Sequence, residues 1–117
     1  MPLPTDQRDA MSLVAKLFLN YGFAEKAVRL YKALTLLEPE EAAHHRALAL
    51  ALFKAQRSQE ALSALDRLAL LGQIDEGFHM LRSQVLADLG QVEEASAAMQ
   101  AFLALKKAPR RAQGARA

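Results

Sequence analysis

The side chains best suited to metal binding in this chain are its three histidines, His44, His45 and His79. A zinc site on one helix uses two histidines four residues apart. His44 and His45 are adjacent, so they would point about 100° apart around a helix. His45 and His79 lie 34 residues apart, at equivalent places in a sequence repeat, which is typical of half-buried packing residues. Since the chain also contains no cysteine, we expect no metal site.

A second candidate for chemistry is the acidic cluster formed by Glu38, Glu40 and Glu41. Paired carboxylates can act as general acid and base. However, acids that precede a helical pattern are typical of the first turn of a helix, where they face the positive end of its dipole. The sequence also contains no phosphate-binding loop, dinucleotide glycine pattern or nucleophile elbow. We therefore expect no catalytic residues, no cofactor and no enzymatic activity.

The basic residues are concentrated at one end. Five of the 15 Lys and Arg residues lie in 105–117, which contains no acid, so ten remain against 13 acids in 1–104, a net charge of −3. No aromatic residue in the basic segment could stack on a nucleic-acid base. We predict that 108–117 is a disordered, solvated tail, with an acidic partner or a membrane surface as the alternative, and we expect no nucleic-acid binding.

Composition favours a helical, soluble protein. Hydrophobic residues make up 52% of the chain but aromatic ones only 6%, so Leu and Ala must fill the core. Residues 1–10 lack the basic and then apolar run of a signal peptide. No stretch approaches the roughly 18 uncharged apolar residues of a membrane span. We therefore expect an intracellular protein with no membrane insertion.

An internal repeat of 34 residues organises the chain. In each unit an alanine follows a turn, and large apolar residues follow it four and seven positions later. The three sets are Ala27, Tyr31 and Leu34, then Ala61, Leu65 and Leu68, then Ala95, Met99 and Phe102. This period is typical of helix-turn-helix solenoids. We predict an all-α, right-handed solenoid of three repeats, about 8–41, 42–75 and 76–107, in one domain over 5–107.

Turn residues predict six helices, two per repeat. Gly22, Gly72 and Gly90 suit helix ends, Pro39 ends the second helix, and Ser58 is a good N-cap for the fourth. The expected ranges are 6–20, 24–37, 40–54, 58–71, 75–89 and 92–106.

The same repeat positions predict which residues pack in the core. In the first helix we expect Met11, Val14, Ala15 and Phe18 to form one buried stripe. Small residues are needed where the two helices of a repeat cross, and Ala15, Ala49 and Ser83 occupy that position.

On this frame the chain resembles the tetratricopeptide repeat. The first repeat matches best, at Met11, Val14, Ala15, Phe18, Gly22, Ala27, Tyr31, Leu34 and Pro39. The later repeats depart from the pattern, because histidine replaces the expected aromatic residue at 45 and 79, and the terminal proline is missing. The resemblance covers about residues 8–107.

The chain also resembles the small three-repeat chaperones of bacterial type III secretion, most closely the YscY type and less closely the needle-subunit co-chaperone YscG type. The matching stretches are 21–27, 33–39, 81–90 and 101–106. By that resemblance, the partner is a secreted component of the export machinery whose helical end is held in a concave groove, and the protein is cytoplasmic.

The groove of such a repeat array is lined by residues of the first helix of each repeat. Here they are Ser12, Lys16, Leu19 and Asn20, then Arg46, Leu50, Phe53 and Lys54, then Met80, Gln84, Ala87 and Asp88. Leu19, Leu50, Phe53 and Met80 would form an apolar floor for an amphipathic helix. The alternative is that these four pack against adjacent repeats.

The end of the array predicts a second contact. After 92–106 the chain continues with Pro and basic residues, so Met99, Phe102 and Leu103 should be partly uncovered. We expect a bound protein or a second copy of this chain to cover that edge.

An adaptor or assembly scaffold is the alternative function. Repeats that bind a terminal carboxylate use a basic clamp, and Lys16, Arg46 and Lys54 could provide one. Chaperones of apolar helices instead need a floor such as Leu50, Phe53 and Met80.

Overall fold

A computed structural model of the protein describes residues 5–107, which form six α-helices and no strand. The helices are α1 Thr5–Asn20, α2 Ala24–Leu37, α3 Ala42–Lys54, α4 Ser58–Leu70, α5 Glu76–Asp88 and α6 Val92–Lys107. The all-α prediction is therefore confirmed for the described residues. The predicted basic tail, 108–117, lies outside them.

The same hydrogen-bonded turn ends α1, α3 and α5. After α1, the N–H of Phe23 donates to the carbonyl of Phe18 (2.8 Å) and the N–H of Gly22 donates to the carbonyl of Leu19 (3.4 Å). Equivalent bonds run from Arg57 to Leu52 and Gln56 to Phe53 after α3, and from Gln91 to Leu86 and Gly90 to Ala87 after α5. This is the Schellman pattern, which satisfies carbonyls that have no partner within the helix. These three turns recur at the 34-residue spacing, and the same pair of bonds also ends α4, from Gln73 to Leu68 and from Gly72 to Ala69.

Each of these turns places one residue in the left-handed backbone region. Gly22 has φ 85° and Gly90 has φ 77°, a conformation that glycine adopts without steric penalty. The equivalent residue in the second repeat is Gln56, with φ 64°. A side chain there costs about 1 kcal/mol. The second turn thus keeps the repeat's geometry with a residue poorly suited to it.

The chain divides into two compact units, with the boundary between Gln73 and Ile74, close to the predicted start of the third repeat. The first unit contains α1 to α4. Within it, α1 packs on α2, α2 on α3 and α3 on α4. Because each turn between them is only a few residues long, neighbouring helices run antiparallel.

The core of the first unit is built from the periodic positions. Tyr31 and Leu52 are buried, and the side chains of Ala15, Ala27, Leu34, Ala49, Ala61, Leu65 and Leu68 are fully buried. The small residues predicted at the helix crossings, Ala15 and Ala49, are thus confirmed as core residues. Burial in an apolar environment also raises the pKa of Tyr31.

The second unit consists of α5 packed on α6. Ser83, the third of the small crossing residues, is buried and donates a hydrogen bond to the carbonyl of Met80 (2.7 Å). Asp75 caps α5, because its side chain accepts a hydrogen bond from the N–H of Phe78 (3.0 Å). In α6 only Ala98 is buried, so this helix leaves most of its surface exposed.

Three local predictions were wrong. Val14 is 42% exposed, so of the predicted stripe on α1 Ala15 is buried, Met11 and Phe18 are half-buried, and Val14 lies outside the core. Ser58 is the first residue of α4 rather than its N-cap, a position that Arg57 occupies. Helix α3 begins at Ala42, because the backbone of Glu41 is still extended after the turn at Pro39. None of the described helices is long and apolar enough to cross a membrane.

Candidate binding surfaces

The groove residues predicted on α1 divide between surface and core. Lys16 and Asn20 are exposed. Leu19 is only 9% exposed, so it packs in the core and contributes little to a binding surface. The polar part of this predicted groove is therefore accessible on α1, and its apolar part is not.

On α3, Arg46, Leu50 and Phe53 are half-buried and Lys54 is exposed. At 100° per residue these four project from one side of the helix, whereas the buried Leu48 points to the opposite side. We call Arg46, Leu50, Phe53 and Lys54 the outer face of α3. It presents two large apolar side chains beside two cations.

On α5, the predicted residues also lie on one side of the helix. Met80 is half-buried, Gln84 and Ala87 are exposed, and the buried Phe78 and Val85 lie on the other side. This face belongs to the second unit and offers one large apolar side chain, Met80, to a ligand.

A groove that the sequence did not indicate lies between α2 and α4, with α3 as its base. It has a volume of about 580 Å³, with the buried Leu48 and Leu52 as its apolar floor and the exposed Leu36 at its rim. Lys32, Thr35, Pro39, His45, Glu60, Ser63, Ala64 and Arg67 complete its lining. Leu36 is 83% exposed, so this α2–α4 groove offers an apolar side chain directly to solvent.

Charged residues join α2 to α4 at the end of this groove. Arg57 donates to Glu60 and, through Nη1, to Glu25 Oε1 (2.9 Å), and Lys32 Nζ lies 3.5 Å from Glu60 Oε2. The hydrogen bonds from Arg57 are the main reason why the pKa of Glu60 is lowered and that of Arg57 is raised. Lys32 is therefore already engaged by an acid at the rim of the groove.

The histidines of α3 have structural partners. His44 Nε2 donates to Glu38 Oε1 (2.8 Å), and Arg8 Nε lies 3.3 Å from Glu38 Oε2. His45 Nε2 donates to the carbonyl of Pro39 (2.8 Å). Both rings are buried. Between residues 5 and 107 there is no group of three or more His, Cys, Asp or Glu side chains able to hold a metal ion.

The outermost side of α1 carries a stripe of exposed apolar residues, which continues onto Tyr21, the first residue after the helix, whose N–H donates to the carbonyl of Leu17 (3.0 Å). Leu13 is 60% exposed, Leu17 45% and Tyr21 75%, and Ala10 and Val14 lie beside them. We call these five residues the outer stripe of α1. The spacing of Leu13, Leu17 and Tyr21 by four residues was visible in the sequence, and it marks one face of a helix.

The predicted terminal edge on α6 is partly exposed. Leu103 is exposed, while Met99 and Phe102 are half-buried. The Nζ of Lys106 lies 5.6 Å from the centre of the Phe102 ring, at a distance typical of a cation–π contact. The chain's own lysine therefore covers part of the apolar edge.

No protein-family model matches the chain, and no curated protein matches it.

Proposed function

We propose that the protein is a non-enzymatic chaperone of the tetratricopeptide type. Its three helix-turn-helix units form a right-handed solenoid whose first helices line a concave groove. That groove binds a helical segment of a secreted component of a type III export machinery and keeps it soluble in the bacterial cytoplasm.

The outer face of α3 is the observation that carries this proposal. Leu50 and Phe53 project away from the core, and neither is fully buried. Arg46 and Lys54 lie beside them on the same side of the helix. An apolar pair bordered by the exposed Lys54 fits an amphipathic helix that has an apolar face and an acidic flank. The predicted partner is therefore a helix with acidic residues beside its apolar stripe.

The recurring turns support the solenoid part of the proposal. The same Schellman bonds end α1, α3 and α5, and they place a turn of one type within each helix pair, before α2, α4 and α6. Turns of one type repeated at one period help a helical solenoid to keep a constant geometry from unit to unit. The grooves of such proteins bind chains along their length.

A general adaptor is the second candidate function. Lys16 and Lys54 are both exposed, and within 5–107 neither makes an ion pair. Unpaired cations on α1 and α3 would suit the terminal carboxylate of a folded partner. Binding of such a ligand would depend on Lys16 and Lys54 more than on Phe53.

The test is co-expression with the products of the neighbouring reading frames, followed by mass spectrometry of the proteins that co-purify. We expect Phe53→Asp to abolish co-purification of the partner, because a carboxylate at the centre of the apolar pair cannot be desolvated without cost. Circular dichroism checks that the helical content is unchanged.

Two control variants separate the alternatives. Leu36→Asp places a carboxylate in the α2–α4 groove and should leave the partner bound. Lys54→Glu alters only an exposed side chain, and it should weaken binding less than Phe53→Asp if the ligand is an apolar helix. Full co-purification with Phe53→Asp would show that the partner does not use the outer face of α3.

A further inference from the structure

We propose that the outer stripe of α1 pairs with the same stripe of a second copy of this chain, with the two helices antiparallel. This contact is separate from the partner-binding surface on α3. It uses Ala10, Leu13, Val14, Leu17 and Tyr21, which point away from the core of the first unit.

The stripe is continuous and too apolar for an ordinary exposed helix face. Its members run from Ala10 to Tyr21, one residue beyond the end of α1, which corresponds to about three helical turns or roughly 16 Å. Large apolar residues scattered singly on a surface are normal, whereas a contiguous apolar patch marks a contact surface. The stripe runs along one helix, so its natural occupant is another helix.

Two charged residues beside the stripe indicate that the helix that packs on it is α1 of a second copy of the chain. Asp9 and Lys16 are exposed, lie on the same flank of the stripe, and make no ion pair within the described residues. In an antiparallel pair related by a two-fold axis, each flank faces the same flank of the other helix. Asp9 of one helix then faces Lys16 of the other helix across the contact.

A two-fold axis that passes between Leu13 and Val14 gives both the apolar residues and the charged residues suitable partners in the second copy. Leu17 then lies level with Ala10 of the second copy, so a large side chain meets a small one. Asp9 of one copy and Lys16 of the other lie about 3 Å apart along the helix direction, within reach of a lysine side chain. Symmetry forms this ion pair twice.

The stripe's end residues also favour the antiparallel arrangement. About the same axis, Tyr21 lies level with Asp6 of the second copy, so its hydroxyl can donate to a carboxylate. A parallel pair would instead place Asp6 beside Asp6, with like charges at the same level. The contact is a single helix pair, so we expect a weak dimer whose population depends on protein concentration.

The first experiment exchanges the charges. Asp9→Lys and Lys16→Asp each replace two attractive pairs with two repulsive ones, and each variant should sediment as a monomer at a concentration where the wild-type chain is dimeric. An equimolar mixture should form the dimer again, because the lysine introduced in one variant then meets the aspartate introduced in the other, while the native Lys16 and Asp9 also face each other. Circular dichroism confirms that each variant is folded.

The second experiment uses the absence of cysteine from the chain. Leu13→Cys places two thiols about 1.5 Å apart along the helix direction in the antiparallel dimer, and it should cross-link on mild oxidation. Tyr21→Cys separates the two thiols by about 22 Å, and it should not. In a parallel dimer both variants would cross-link.

Three results would overturn the proposal. They are a wild-type chain that stays monomeric at high concentration, single charge variants that dimerise like the wild type, and cross-linking of Tyr21→Cys as efficiently as Leu13→Cys. Loss of the chaperone partner in the Phe53→Asp variant would not change any of these results, so the two proposals can fail separately.

Discussion

Arg57 and Glu60 form a two-point ion pair, in which Arg57 Nε donates to Glu60 Oε1 at 3.1 Å and Nη2 donates to Oε2 at 2.7 Å. This geometry fixes the guanidinium at the start of α4. From there Nη1 reaches Glu25 on α2. One arginine thus links the turn before α4 to a helix two elements earlier in the chain.

This pair predicts a specific sensitivity to acid. The pKa of Glu60 is lowered, so its ionised form stabilises the fold fully above its ordinary value of 4.5, and this contribution is lost as the pH falls below it. The urea midpoint should therefore fall between about pH 6 and pH 3, and Glu60→Gln should show less of this fall than the wild type. Glu93→Gln, at an exposed site on α6, is the control and should keep the wild-type response. Equal responses of the two variants would contradict a role for the pair.

Gln56 gives a prediction about turn geometry. Gln56→Gly should raise the free energy of unfolding by about 1 kcal/mol, because it removes a side chain from a left-handed backbone position. Gly90→Ala should lower it by a similar amount, about 1 kcal/mol. No atom lies within 4 Å of a Cβ built at Gly90, so that loss is conformational rather than steric. Thermal or urea unfolding measures both changes.

The control for the turn variants is Gln59→Gly, three residues further along the chain at an exposed position in the first turn of α4. Glycine within a helix is unfavourable by about 1 kcal/mol, so this variant should be less stable than the wild type. If Gln59→Gly and Gln56→Gly change stability in the same direction, the turn conformation of Gln56 has no special role.

Two leucines of α4 test the core. Leu65 is fully buried and Leu70 is 83% exposed. Leu65→Ala should lower the free energy of unfolding by about 2–5 kcal/mol, since it loses apolar burial and leaves a cavity. Leu70→Ala should change it by less than about 0.5 kcal/mol. Chemical denaturation of the two variants decides this, and similar losses would mean that the periodic positions do not form the core.

The sequence was most informative where one residue type has one physical role. Gly22 and Gly90 end helices because glycine tolerates the left-handed conformation, and the structure places both there. Ala15 and Ala49 are buried because helices cross closely at small residues. Together with Pro39, Gly72 and the apolar periodicity, these signals located all six helices to within two residues at each end.

The surfaces were harder to predict, because α1 is apolar around most of its circumference. Val14 was expected in the core and is exposed, while Leu19 was expected in a groove and is buried. A helical period identifies which residues share a face, but it cannot decide which of two apolar faces packs inward. The α2–α4 groove was missed because its lining joins residues of different helices that are distant in the sequence pattern, such as Leu36 on α2 with Leu48 and Leu52 on α3.

The contacts of Glu38 bear on how the first unit unfolds. It is the C-cap of α2, where a carboxylate faces the negative end of the helix dipole, and it is held there by Arg8 of α1 and His44 of α3. Arg57 joins α2 to the start of α4 in the same way. Both sets of contacts involve acids of α2 or its C-cap. Separating any one of these helices from α2 therefore removes an ion-pair partner from Glu25 or Glu38. Partly exposed ion pairs contribute little by themselves, but these helices also pack on one another in sequence around buried apolar residues, so we expect the four to lose structure together, unlike long repeat arrays, in which units can unfold one at a time.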